Sequence, residues 1–127
     1  MNPARRPEHL DDEARAELLT YLVAGQLVAR ARTGVWLETT HLVESAQIWL
    51  ASNGANCSWF ERAHLARVSA ELAPSFLNAP ALSDAATLAQ LFTDGGRLDY
   101  RSPIVGEMFS VCQQLLRRSI WKRLADK

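Results

Sequence analysis

The chain has 127 residues, 48% hydrophobic and 22% charged. That balance is globular and excludes wholesale disorder, and the length suits a single domain. Fourteen Lys and Arg against fourteen Asp and Glu give a net charge of zero, which argues against a general polyanion binder.

Residues 1–7 carry two prolines and two arginines and are expected to form a flexible N-terminal segment. No apolar stretch of the secretory type follows them. The longest nearly uncharged run, Leu18–Ala29, is about half of the ~20 residues a membrane span needs. A cytoplasmic protein is therefore expected. Twelve Arg against two Lys, with abundant Ala and Leu, associate the chain with a GC-rich bacterial genome.

From residue 8 onward the apolar spacing follows the helical period of about 100° per residue. The first helix is predicted from Glu8 to Arg32, acidic at its start and basic at its end, with Gly34 as its C-terminal cap. From Leu18 to Ala29 only Thr20 and Gln26 are strongly polar, so this half must be covered on every side. Ala24, Gly25 and Ala29 would let another helix approach closely.

A second helix is predicted over Thr40–Ser52, striped by Leu42, Ala46, Trp49 and Leu50 and stopped by Asn53-Gly54. The third begins at Ser58, where Ser58-Trp59-Phe60-Glu61 has capping-box spacing, and ends near Ala73 because Pro74 follows. Leu65, Val68 and Leu72 form its main stripe. Ala63, Ala66, Ala70 and Ala73 form a second, shallow one, which predicts a helix packed between two neighbours. The fourth helix is short, Asp84–Thr93, capped by Ser83 and stopped by Gly95-Gly96. The alternating segment 97–101 reads as a loop or a brief extended piece. The fifth helix starts with Ser102 as cap and Pro103 in its first turn, and its pattern continues toward the end of the chain. The expected fold is all-α: a single-domain bundle of about five helices, the fourth short.

The two cysteines, Cys57 and Cys112, are too few for a disulfide scaffold and read as reduced, half-buried thiols. His41-x-x-Glu44 and Glu61-x-x-His64 have the spacing of metal-ligand pairs on one helix face. In an antiparallel hairpin, however, Glu44 and Glu61 are offset by about seven residues, ~10 Å at the helical rise. No metal or other cofactor is expected, and these histidines read as surface residues. Neither a nucleophile turn nor a phosphate-binding glycine loop occurs, so the expectation is a protein without enzymatic activity.

Two binding readings remain. Helices two and three, with Gly54 in the turn, are compatible with a helix-turn-helix. Its recognition helix would present Trp59, Phe60, Arg62, His64 and Arg67, but helix two has no Lys or Arg to grip a phosphate. The basic cluster Arg117, Arg118, Lys122, Arg123 and Lys127 lies far off at the chain's end, where cations suit a helix terminus. The favoured reading is contact with another protein, in the form of a small bacterial regulator that sequesters or inhibits a transcription factor, an antiactivator. Its expected anchors are Phe60 with Arg67, and Trp121 with Arg117. The apolar excess of helices one and five further predicts a homodimer, with Leu18, Leu22, Gly25, Ala29, Met108 and Leu115 at the interface.

Overall fold

The computed structural model describes residues 10–78 and 85–118, and among these there are five α-helices and no strand. Helix α1 spans Asp12–Thr33. It starts later than the acidic run suggested, because Asp11 acts as the cap: its carboxylate accepts from the Ala14 amide at 2.7 Å. Gly34 ends the helix as expected, at φ 80°, with its N–H on the Arg30 carbonyl at 2.9 Å.

Helix α2 spans Thr39–Ser52 and α3 spans Trp59–Leu72. Ser58 caps α3, its hydroxyl accepting from the Glu61 amide at 3.1 Å. The Glu61 side chain then turns to α1, where the Arg15 guanidinium donates to it at 2.5 Å. Pro74 ends the α-helix, and a 3-10 segment, Ala73–Asn78, carries the chain onward.

Helix α4 is Ala85–Ala89, shorter than the ten residues expected, and the predicted cap Ser83 and start Asp84 lie outside the described residues. The chain leaves α4 by turning back on itself. Phe92 and Leu98 form an isolated antiparallel bridge, flanked by Thr93 N–H on the Arg97 carbonyl (2.7 Å) and Asp99 N–H on the Leu91 carbonyl (2.8 Å). Gly96 sits in this turn at φ 78°, a conformation that side chains other than glycine adopt at a cost. The alternating pattern of residues 97–101 thus marks one short paired step. Helix α5 spans Pro103–Arg117, and the predicted continuation beyond 118 lies outside the described residues.

The architecture has α1 at its centre. It packs against α2, α3, α4, α5 and the 3-10 segment, while α3 also packs against α2. Leu18, Leu19, Leu22, Val23, Ala24 and Leu27 of α1 are all buried in one core with Leu42, Leu50, Leu65, Leu91, Val105 and Met108. The two polar residues of this stretch are satisfied. The Thr20 hydroxyl donates to the Ala16 carbonyl at 2.7 Å. The Gln26 amide accepts from Leu37 N–H at 2.7 Å and donates to the Leu37 carbonyl at 3.4 Å, pinning the α1–α2 connection to the helix. In that connection the Arg30 guanidinium lies 5.1 Å from the Trp36 ring centroid, so Trp36 folds back on its own chain.

Three of the six residues expected at a dimer interface have a place in the chain's own core. Leu18, Leu22 and Met108 are covered by the chain's own core, at 1% exposure or less. They have no surface to offer a partner. Gly25, Ala29 and Leu115 are half-buried. The apolar girth of α1 is what a central helix needs.

The core predicts the cost of a cavity at its centre. Leu22→Ala should lower unfolding free energy by about 2–5 kcal/mol, read as a fall in the urea midpoint without a change in slope. The exposed Val35→Ala should stay within about 0.5 kcal/mol of the parent. Equal effects at the two positions would contradict the central placement of α1.

Candidate functional site

Helix α3 buries one side against α1 and α2 and leaves the opposite side to solvent. Leu65, Ala66 and Ser69 are buried; Phe60, Arg67 and Glu71 are exposed. His64 lies between these sides, one turn from Phe60 and less than one turn from Arg67, as helical spacing requires. Contrary to the surface position expected for it, His64 is buried, with 6% of its area exposed.

Three side chains here form a connected row. The Phe60 and His64 rings are parallel to within 2°, with centroids 6.4 Å apart. The Arg67 guanidinium lies 3.1 Å from His64 Nδ1. A guanidinium only donates, so Nδ1 is the acceptor and the imidazole is neutral, with its proton on Nε2. Burial, and secondarily the Arg67 charge, holds the His64 pKa below the usual imidazole value; Glu71 and Glu61 act weakly the other way. Phe60 is 59% exposed and Trp59 66%, so two adjacent large aromatics open the helix toward solvent. Arg67 forms no ion pair within 4 Å among the described residues.

The remaining predicted anchors divide. Arg117 is exposed in the last turn of α5. Trp121 lies outside the described residues. The row proposed for reading DNA is broken on α3: Arg62 bends back to donate to the Cys57 carbonyl at 2.5 Å, and His64 is buried. Only Trp59, Phe60 and Arg67 of that set are exposed.

Two further exposed apolar side chains went unremarked in the sequence, Val35 and Ile48. Ile48 was legible, since it lies opposite the Leu42, Ala46, Trp49 and Leu50 stripe on the helical period. Val35 follows the helix cap, where periodicity gives no information.

Other reactive groups are arranged for packing. Cys57 and Cys112 are free and fully buried, and burial pushes each thiol up to about 11, so neither is a ready nucleophile. Burial also raises Tyr100, with Glu17 contributing. Glu17 is itself raised, by burial and then by Glu13 and Asp11. Of the four residues with metal-ligand spacing, His41 and Glu44 are exposed, Glu61 is bound to Arg15, and His64 is bound to Arg67. Among the described residues no group of three or more His, Cys, Asp or Glu is placed to share a metal ion. No helix among the described residues is long and apolar enough to cross a membrane.

Comparison with known proteins identifies no matching family model, curated protein or solved structure.

The depressed His64 pKa fixes the sign of one pH effect. The unfolded chain takes up a proton at the ordinary value of about 6.5, before the folded chain does. His64 therefore contributes no pH dependence well above 6.5. Stability falls as pH drops below 6.5, by at most about 1.4 kcal/mol per unit, until the folded-state pKa is passed. Urea unfolding at pH 7.5, 6.5 and 5.5, compared with His64→Phe, checks this. The parent should lose more than the variant between 6.5 and 5.5.

Proposed function

We propose that the protein acts without catalysis, by contact with another protein, and that the contact is centred on Phe60 and Arg67 on the outer face of α3. The observation that carries this reading is the row just described: an exposed phenyl ring backed by a buried imidazole that is itself bonded to an exposed guanidinium. Aromatic and arginine side chains held in place before binding are the groups that supply most of the affinity at protein interfaces. Trp59 extends the apolar part of the face. Arg67 has no carboxylate within ion-pair distance among the described residues, so the fitting partner surface pairs an apolar side chain with an Asp or Glu.

A neutral chain whose α2 carries no Lys or Arg is poorly equipped to hold DNA, which favours a protein over a nucleic acid as the partner. The specific form we favour is a bacterial cytoplasmic regulator that binds and sequesters a transcription factor. Arg117, exposed at the end of α5, marks a second place to look for contacts, together with Trp121 outside the described residues.

The test is affinity capture on the full chain from the source cell, then titration of the captured partner against the parent, Phe60→Ala and Arg67→Ala. Loss of an aromatic anchor should weaken binding by about 30- to 1,000-fold, corresponding to about 2–4 kcal/mol. The melting curve of Phe60→Ala should move little, because the side chain is mostly exposed. Unchanged affinity in both variants would contradict the proposal. So would tight, salt-dependent and sequence-selective binding of DNA from the protein's own locus, lost in Arg62→Ala and Arg67→Ala.

A further inference from the structure

The outer face of α3 contains one group that is neither exposed nor part of the apolar core. His64 is buried, yet it reaches outward to two exposed side chains, Phe60 and Arg67. We infer that His64 is a positioning residue for this face, that it works only as the neutral imidazole protonated on Nε2, and that acid dismantles the Phe60–His64–Arg67 row while the core stays folded. The consequence for partner binding rests on the function proposed above; the state of the row itself does not.

The geometry carries the argument. Arg67 Nη2 stands 3.1 Å from Nδ1, with only donors to offer. A proton arriving on Nδ1 from solvent leaves two N–H groups facing each other, both on cations. The contact then has no acceptor, and Arg67, being exposed, is the member free to leave. Phe60 is held on its inner side by the imidazole plane and is otherwise mostly in solvent. When the row opens, its orientation is no longer specified.

Among the described residues, burial and Arg67 outweigh the charges that favour the protonated form. On α3 itself, Glu61 and Glu71 favour the imidazolium and Arg67 opposes it. From α1, Arg15 reaches α3 and occupies the Glu61 carboxylate. On α2 the titratable groups are His41 and Glu44, both exposed. The 3-10 segment has no ionisable side chain. Burial therefore has the larger influence, and it keeps His64 neutral near pH 7.

Heteronuclear NMR of the full chain from pH 8 to pH 5 tests the inference without any partner. At pH 7.5 the ring nitrogen and Cδ2 shifts of His64 should be those of the Nε2–H tautomer. The titration midpoint should fall below about 6.5. The Phe60 ring and Arg67 side-chain signals should change with that same midpoint, while the amide signals of α1 stay dispersed. Arg67→Ala removes an opposing cation and should raise the midpoint. His64→Phe keeps a ring beside Phe60 but cannot titrate, and its Phe60 signals should not follow pH. Should that variant fail to fold, the exposed Arg67→Ala still decides the question. The inference is overturned by an Nδ1–H tautomer at pH 7.5, by a midpoint at or above 6.5, by Phe60 and Arg67 signals indifferent to the titration, or by α1 unfolding with the same midpoint.

Discussion

A helix that is apolar on every side has no stable place on the surface of a small domain, and α1 is such a helix from Leu18 to Leu27. The other helices and the 3-10 segment pack around it, and the core of the protein is the shell between α1 and its neighbours. Two polar residues inside that stretch could have undone the arrangement. Thr20 is satisfied within its own turn, and Gln26 is satisfied by the backbone of Leu37. An unpaired buried amide would cost roughly 1–3 kcal/mol, so the Gln26 bonds tie the path of the α1–α2 connection to the stability of the core. The Arg15–Glu61 ion pair makes a similar link at the other end, joining the start of α1 to the first turn of α3.

Much of this was readable from residue types because local and global signals agree. Gly34, Ser58 and Pro103 mark helix ends by mechanisms that operate within a few residues. The two apolar stripes of α3 correctly implied a helix between two neighbours, which are α1 and α2. What residue types could not give was the step from apolar surface to what covers it. Leu18, Leu22 and Met108 carry no mark that distinguishes a self-covered side chain from one awaiting a second copy, and only the packing of distant segments decides. Helix α4 was overestimated for a related reason. Its apolar spacing continues to Phe92, but Leu91, Phe92 and Leu98 reach the core by a paired turn instead of a longer helix.

The outer face of α3 was half legible. Helical spacing alone put Phe60, His64, Arg67 and Glu71 on one side. It could not say that His64 sits inside and the others outside, because the boundary falls between positions only 40° apart, within the scatter of a real helix. That boundary position gives the face its character. A histidine fully outside would be solvated and loosely held; one fully inside would not reach both Phe60 and Arg67. The same burial that depresses its pKa makes it a rigid backing for an exposed aromatic ring.

In this fold one chain supplies the cover around α1. Native-state hydrogen exchange, followed at two protein concentrations about a hundredfold apart, checks this. The slowest amides should lie in α1 between Ala16 and Leu27, exchange only through global opening, and keep their rates on dilution. Slowest exchange elsewhere would contradict the central placement of α1. Protection of α1 that falls on dilution would show that a second chain supplies part of its cover.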